Sequence, residues 1–223
     1  MRTEHRLIGR FALFAIWLAL LAPVSGRAAL VWTYDFPGTP GSGLGNSQTN
    51  PQSPNVTFGD WSRVGVSAVG TSNIFESNFW NNTSTIDTTQ YESFSITAAA
   101  GYHLNLQSLT FDNFAGPGGP TKGRVQMFLN GSVTAYASFD YNPPASWQNF
   151  NMGFTPTVDA NNVTTVEFRF YGWNGGTASA SMMLDNVKIT VAVVPEPATL
   201  GPALLLASCV AAGLIRKGRT RKA

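Results

Sequence analysis

The chain has 223 residues, enough for one domain with a full hydrophobic core, and its formal net charge is +2. The excess positive charge lies at the two ends, because between Ala29 and Val194 ten acidic residues outnumber five basic ones. This acidic middle part excludes nucleic acid as an expected partner, since binding to phosphates requires a basic surface. The single cysteine, Cys209, lies near the end of the chain, so no disulfide is predicted in the middle part.

The first 28 residues have the order of a secretory signal peptide. Basic residues come first, an apolar stretch follows from Phe11 to Ala22, and Pro23 and small residues complete the segment. We therefore predict a signal-peptide helix over residues 1–28, which the secretion translocon recognises and signal peptidase removes before Ala29. An uncleaved N-terminal anchor is the alternative.

Residues 29–193 have the pattern of a β domain. Short runs of β-branched and aromatic residues alternate with turn residues, and no stretch keeps a helical period. The predicted strand runs are "LVWTYDF", "RVGVSAV", "YESFSIT", "HLNLQSLTF", "GRVQMFLN", "SVTAYASF", "WQNFNMGF", "VTTVEFRFYGW" and "SMMLDNVKITV". This pattern predicts an all-β fold, an antiparallel β-sandwich of two sheets that is jelly-roll-like. In "VEFRF" apolar and charged residues alternate, so one side of that strand is expected to be buried. Asn130-Gly131 between two runs predicts a hairpin.

Two stretches of this domain are candidates for sugar binding. Exposed tryptophan and tyrosine rings stack on sugar faces, while asparagine side chains bond to hydroxyl groups. "FWNN" and "YGWNGG" combine both residue types, and their candidate residues are Trp80, Asn81, Asn82, Tyr171, Trp173 and Asn174. The alternative is that the aromatic residues belong to the core, as most aromatic residues of a sandwich do.

Asp35 in the first run and Asp185 in the last run predict a calcium site. The terminal strands of a jelly roll often meet, and calcium binds carboxylate and carbonyl oxygens that converge on one point. In the alternative interpretation Asp185-Asn186, like Asp112-Asn113, caps a bulge or a turn. No other cofactor is expected.

No residue is predicted to be catalytic, and the protein is not expected to be an enzyme. Nucleophilic catalysis needs a base beside the nucleophile, and the one histidine of the exported part, His103, is expected to be a solvent-facing strand residue. No cluster of His and Cys predicts a zinc site. The acidic residues are scattered, although two carboxylates from distant strands could still form a glycosidase pair.

Residues 194–223 contain the pattern of a membrane span. No residue from Ala198 to Ile215 is charged, and this stretch would extend about 27 Å as a helix, close to the hydrocarbon thickness of a bilayer. Because positive flanks stay in the cytoplasm, we predict a transmembrane helix over 198–215 with the β domain on the far side of the membrane. The basic tail over 216–223 contains Arg216, Lys217, Arg219, Arg221 and Lys222.

Pro195, Glu196 and Pro197 directly precede this span, and the two prolines hold the backbone extended. Together with the span and the basic tail they resemble the PEP-CTERM sorting signal of proteins that Gram-negative bacteria export. The resemblance implies transient anchoring in the inner membrane and processing near Pro-Glu-Pro by a membrane enzyme, the exosortase. The part that contains "GYHLNLQSLTFDNF" and "VEFRFYGWNGG" is similar to a recurrent group of PEP-CTERM β-sandwich proteins.

The expected function follows from export. We expect a cell-surface or extracellular protein that is structural or adhesive in the envelope or in an exopolysaccharide biofilm matrix. The alternative is a carbohydrate-binding module with polysaccharide as its partner. A polysaccharide-active enzyme is the third interpretation.

Overall fold

A computed structural model of the chain describes residues 29–36, 53–70, 73–153, 163–177 and 179–196. The predicted signal peptide, transmembrane helix and basic tail lie outside the described residues. Within the described ranges, no helix is long and apolar enough to cross a membrane. These ranges cover most of the predicted exported domain and the first two residues of Pro-Glu-Pro.

The described residues form two β-sheets. The strands are β1 Leu30–Tyr34, β2 Val56–Phe58, β3 Ser62–Val64, β4 Ser67–Ala68, β5 Phe75–Asn78, β6 Tyr91–Ala98, β7 Tyr102–Ala115, β8 Lys122–Leu129, β9 Ala137–Tyr141, β10 Gln148–Gly153, β11 Thr165–Trp173 and β12 Met182–Pro195. Sheet A has the strand order β10-β7-β12-β5-β4, with β1 also paired to β12, and sheet B has the order β2-β6-β11-β8-β9, with β3 also paired to β6. Every pairing between these strands is antiparallel.

Aromatic rings join the two sheets. Trp61, on the connection between β2 and β3, has its ring centroid 4.9 Å from that of Phe94 and 5.1 Å from that of Phe170 in sheet B. The same ring lies 5.6 Å from Phe75 in sheet A, and Phe111 of sheet A lies 5.2 Å from Phe170. These contacts pack one sheet on the other, so the prediction of an all-β antiparallel sandwich is confirmed. Its jelly-roll connectivity stays a prediction.

The alternation in "VEFRF" buries one side of the strand, as predicted. In β11, Val166, Phe168 and Phe170 are fully buried between the sheets, while Glu167 and Arg169 lie on the opposite side of sheet B. Successive side chains of a strand point to opposite faces, so burial of one set leaves the other set available at the surface. This second set forms part of the candidate site described below.

Two parts of the strand pattern differ from the prediction. The run "RVGVSAV" is divided into β3 and β4, because Gly65 has a φ of +67° and a side chain there would collide with the carbonyl oxygen of Thr89. The strands β2 and β5 were not among the predicted runs. Their sequences, "VTF" and "FESN", are too short and too mixed for a period-two pattern to be recognised.

The predicted hairpin at Asn130-Gly131 is confirmed. It joins β8 and β9, and the two residues have φ angles of +52° and +72°. The Asn130 side-chain oxygen accepts hydrogen bonds from the N–H groups of Thr164 (2.9 Å) and Thr165 (3.2 Å), at the start of β11. This connection therefore lies against the beginning of β11, at one end of the sandwich.

Tyr141 of the edge strand β9 lies over Gly123 of β8. The two residues are paired across the strands, and a Cβ atom at Gly123 would overlap the Tyr141 ring. The ring is buried and reaches Phe111 and Phe150 of sheet A, with centroid distances of 5.3 and 4.8 Å. The glycine thus allows an aromatic side chain of an edge strand to enter the core.

Glu92 of β6 is a carboxylic acid buried between the sheets. Neither of its oxygens has a hydrogen-bond partner within 3.5 Å among the described residues, and the nearby Arg63 donates to the Ser77 hydroxyl at 2.7 Å. Burial raises the pKa of Glu92 to about 8, although Ser77, Arg63 and Trp61 offset part of this effect. Most of the protein therefore carries an uncharged Glu92 at neutral pH.

His103 is buried, so the prediction of a solvent-facing histidine is wrong. It lies on β7 opposite Val194 of β12, and its neighbour Leu104 is buried as well. Both sides of β7 are covered at this point, so alternation along the strand does not expose the imidazole. Its Nδ1 has no hydrogen-bond partner among the described residues.

Candidate functional site

The side of sheet B that faces away from sheet A carries polar and aromatic side chains from three adjacent strands. We call this surface the outer face. The register pairs the buried Phe168 of β11 with Phe94 of β6 and Met127 of β8, so the residues between these positions point outward. The outer face contains Tyr91, Ser93, Ser95, Thr97, Lys122, Arg124, Gln126, Phe128, Thr165, Glu167, Arg169, Tyr171 and Trp173.

Arg169 lies at the centre of the outer face between two aromatic rings. Its guanidinium carbon is 4.7 Å from the ring centroid of Tyr91 and 4.3 Å from that of Phe128. Two of its nitrogens donate to the two carboxylate oxygens of Glu167, each at 2.8 Å. These hydrogen bonds raise the pKa of Arg169, so its charge and position are both fixed.

A polar groove of about 240 Å³ runs beside this arrangement. Its lining combines hydroxyl groups, two carboxylates and two largely buried phenylalanines, and the residues are Asp60, Ser62, Ser93, Phe94, Ser95, Phe128, Gly131, Thr165 and Glu167. Hydroxyl and carboxylate oxygens at an open groove can bond to the hydroxyl groups of a ligand.

Tyr171 and Trp173 follow Arg169 along β11, but they differ in exposure. Tyr171 is only 1% exposed, and its ring lies 5.6 Å from that of Tyr91. It therefore supports Tyr91 and offers no open face of its own, which corrects its expected role in sugar stacking. Trp173 is half-buried, with the Arg124 guanidinium 5.7 Å from its ring. Tyr91 and Trp173 are thus partly open rings of the outer face.

In the "FWNN" stretch the structure places Trp80 in the interior, so its expected role as an exposed sugar-binding residue is wrong. Trp80 is 3% exposed, and its indole N–H donates to the Ser77 carbonyl oxygen at 2.7 Å. The neighbouring Phe79 is 51% exposed and has a φ of +64°. That backbone conformation costs a bulky residue about 1–3 kcal/mol. The strained turn directs Trp80 inward and leaves Phe79 at the surface.

The predicted asparagines lie near one another, but two of their side-chain amides are hydrogen-bonded within turns and one is exposed. Asn81 and Trp173 form an isolated bridge, so the two predicted stretches meet. The Asn81 amide bonds to the backbone of its own turn, and Asn174 Nδ2 donates to the Thr121 hydroxyl at 2.8 Å. These two side chains hold turns, whereas Asn82 is exposed. Neither predicted stretch revealed Arg169, Tyr91 or the groove.

Asp35 and Asp185, the residues of the predicted calcium site, lie near each other and near Asp112 on the outside of sheet A. Burial raises the pKa of Asp185, and the negative charges of Asp112 and Asp35 raise it further. Asn186 Nδ2 donates to Asp112 at 2.9 Å and to Asp185 at 3.2 Å, within a bulge of β12. The bulge interpretation of Asp185-Asn186 is confirmed. Calcium stays a prediction, and within the described ranges no group of three His, Cys, Asp or Glu residues could hold a metal ion.

The substitution Asp185→Asn tests whether a metal ion is bound at this bulge. With no metal present, we expect it to raise the Tm at pH 7, because one of three mutually repelling carboxylates is removed and asparagine can still accept the Asn186 N–H. Thermal melts in calcium and in EDTA measure the effect. A wild-type Tm that rises with calcium, and no longer does so in the variant, would contradict this expectation and support the calcium site.

The predicted sorting motif begins inside sheet A. Pro195 is the last residue of β12 and lies opposite Tyr102 of β7. The Glu196 N–H donates to the Gly101 carbonyl oxygen at 2.9 Å. The strand therefore continues two residues beyond the predicted boundary at residue 193. Pro197 and the five basic residues of the tail lie outside the described ranges.

No protein-family model and no curated protein matches the chain. Among solved structures, a CBM4 structure is 18% identical, with a TM-score of 0.41, and the match covers 73% of this chain and 97% of that one. The family 11 carbohydrate-binding module from Clostridium thermocellum is 16% identical, with a TM-score of 0.38 and coverage of 76% and 98%. The Stig cyclase Fisc from Fischerella sp. TAU is 13% identical, with a TM-score of 0.36 and coverage of 76% and 100%. These scores are too low to support an argument about function.

Proposed function

We propose that the protein is an exported, non-enzymatic surface or matrix protein whose jelly-roll-like sandwich binds an extended polysaccharide on its outer face. The observation that carries this proposal is the stack of Tyr91, Arg169 and Phe128 beside the hydroxyl-lined groove. The partly open rings of Tyr91 and Trp173 supply flat apolar area for sugar faces, and the groove supplies hydrogen-bonding partners for sugar hydroxyls. Such binding would serve a structural or adhesive role in the envelope or the exopolysaccharide.

The length and rigidity of the outer face suit a polymer. From Glu167 to Trp173, β11 extends about 20 Å at the rise of a strand, which accommodates several consecutive sugar rings. The ion pair fixes both nitrogens of the Arg169 fork before any ligand arrives. A preformed surface loses little side-chain entropy on binding.

The groove carboxylates favour binding over hydrolysis. Asp60 and Glu167 both line the groove, as a pair of glycosidase carboxylates would. Both Glu167 oxygens are engaged by Arg169, so neither is free to reach a glycosidic oxygen. We therefore propose a non-catalytic role, and turnover of isolated exopolysaccharide by the purified protein would contradict it.

Alanine substitution of Trp173 or Tyr91 tests the outer face. We expect each variant to bind polysaccharide about tenfold more weakly, since loss of a stacking ring costs about 1–2 kcal/mol. Affinity electrophoresis in gels that contain neutral or acidic polysaccharides measures the retention of the detergent-solubilised chain. The matched control is Trp147→Ala, an exposed tryptophan that packs on Phe114 of sheet A. Equal retention of the wild type and Trp173→Ala would refute polysaccharide binding by this face.

The route to the surface is part of the proposal. The signal peptide, the span over 198–215 and Pro195-Glu196-Pro197 together support export, transient inner-membrane anchoring and processing by an exosortase-type enzyme. Removal of the span would release the β domain to the cell surface or the medium. Intact-mass analysis of the protein outside the cell tests this route, with Ala29 expected at the N-terminus and the basic tail absent. A mass that includes residues 198–223 would contradict the sorting role.

A further inference from the structure

We propose that one end of the sandwich lies on the lipid surface while the chain is anchored. We call this end the turn end and define it by residues 98–102, which run from the last residue of β6 to the first of β7, and residues 130–136, between β8 and β9. The proposal depends on the membrane span proposed above and goes beyond it, because it assigns the bilayer surface as a partner of the folded domain. The described residues provide three arguments.

The first argument is the length of the connection between the sheet and the span. Pro195 is still paired with Tyr102, and Glu196 is hydrogen-bonded to Gly101, so the fold holds the chain up to that point. The apolar stretch begins at Ala198. The three residue steps from Pro195 to Ala198 cover at most about 11 Å. The polar headgroup layer is about 5–8 Å thick on each side of a bilayer, so the turn end has no room to move away from it.

The second argument is that both segments of the turn end lie at the end of the sandwich from which the chain leaves toward the span. Hydrogen bonds connect them through the start of β11: the Ala98 N–H donates to the Thr164 carbonyl oxygen at 2.8 Å, and the Asn130 N–H donates to the Thr165 carbonyl oxygen at 2.8 Å. The Leu104 N–H donates to the carbonyl oxygen of the adjacent Val163 at 2.7 Å. The connection between β8 and β9 therefore faces the membrane together with the Gly101 turn.

The third argument is the chemistry of the turn end. Residues 98–102 and 130–136 contain no charged side chain. Val133 is 96% exposed, and Tyr136 is 50% exposed. A fully exposed valine gains free energy when it leaves water, and tyrosine is favoured at membrane interfaces because its ring is apolar and its hydroxyl is polar. Neither of these two segments would bring a charged side chain out of water on contact with headgroups, and the acidic Glu196 beside Gly101 belongs to the connection to the span.

These arguments favour the bilayer over a second protein as the occupant. A partner protein would have to fit within the same distance of about 11 Å that separates the sheet from the span. The lipid surface is already there whenever the span is inserted. The apolar side chains are single and lie at loop positions, as expected for shallow insertion among headgroups.

Fluorescence of site-specific labels tests the proposal on the full chain. The chain is reconstituted in vesicles of phosphatidylethanolamine and phosphatidylglycerol, with Cys209→Ser to remove the native thiol. A polarity-sensitive fluorophore is attached at Val133→Cys, or at Ser146→Cys as the matched control. Ser146 is exposed and lies between β9 and β10, at the opposite end of β8 from the turn end. Both positions lie on the surface, so labelling leaves the core intact, and thermal melts check this.

We expect a blue shift and several-fold stronger quenching by headgroup-proximal spin-labelled lipid at position 133 than at position 146. This difference should persist at one chain per vesicle. In a chain labelled at Tyr136→Cys, the further substitution Val133→Asp should reduce the quenching of the label. Equal quenching at 133 and 146 in a chain that resists alkaline carbonate extraction would overturn the lipid contact and leave the anchor intact. Release of the chain by carbonate would overturn both the lipid contact and the proposed span. If the difference in quenching between positions 133 and 146 disappeared at one chain per vesicle, the turn end would contact a second copy of the chain and the lipid contact would be overturned.

Discussion

Replacing Glu92 by glutamine is expected to raise the free energy of unfolding by about 5 kcal/mol at pH 9 and to change it little near pH 4.5. Burial raises the pKa of Glu92 from 4.5 to about 8 in the folded protein. As the pH rises above 4.5 the unfolded chain releases this proton while the folded chain keeps it, so the wild type loses stability until the pH passes about 8. Glutamine resembles the protonated acid and has no proton to release.

Urea unfolding at a series of pH values measures the free energy of unfolding of the variant and of the wild type. The titration of all other groups cancels when one value is subtracted from the other. The control is Glu167→Gln, because Glu167 is partly exposed and paired with Arg169 on the outer face. We expect a change within about 1 kcal/mol for this control, with no growth toward high pH. If Glu92→Gln were less stable than the wild type at pH 9, Glu92 would be charged and stabilised by Arg63, and burial of its protonated form would be refuted.

Replacing Gly123 by alanine is expected to destabilise the fold by about 1–3 kcal/mol, the usual cost of overpacking a core. The new methyl group would overlap the ring of Tyr141, which is held by Phe111 and Phe150 and cannot move outward without leaving the core. For a domain of this size the loss corresponds to a fall in Tm of about 2–4 °C per kcal/mol. Thermal unfolding followed by near-ultraviolet circular dichroism reports both the Tm and the environment of the tyrosine.

The matched control is Gly153→Ala in β10. No atom lies within 4 Å of a Cβ built at Gly153, so alanine meets open space there. We expect its Tm to stay unchanged or to rise slightly, because alanine restricts the unfolded chain more than glycine does. Equal effects of the two substitutions would show that the Tyr141 contact contributes nothing specific to stability.

The fold class could be predicted because burial and strand period agree along this chain. The residues of "VEFRF" alternate without interruption, and Asn130-Gly131 has the positive φ angles that a hairpin turn requires. The strands β2 and β5 escaped prediction because their partners, and not their own sequences, hold them in the sheets. The exposure of His103 was mispredicted for a related reason, since cover on both sides of β7 depends on contacts from distant parts of the chain.

The candidate site could be predicted only in part. Trp173 and its meeting with Asn81 belong to stretches that the composition singled out. The groove and the stack of Tyr91, Arg169 and Phe128 combine residues from three strands. Each strand alone shows only the alternation of polar or aromatic residues with buried ones that is common to many strands. Such a surface becomes visible only after the register is known. Trp80 was misplaced because one positive φ at Phe79 reverses the side to which the next residue points.

The position of β12 bears on when this domain could fold along the export route proposed above. The first described strand, β1, has β12 as its partner among the described strands, and β12 also lies between β7 and β5. Sheet A is therefore incomplete until β12 is available. On the proposed route, Trp32 and Tyr34 of β1 would stay without that partner until nearly the entire domain had crossed the membrane. This delay would keep the chain unfolded during its passage and would postpone compaction until β12 had emerged.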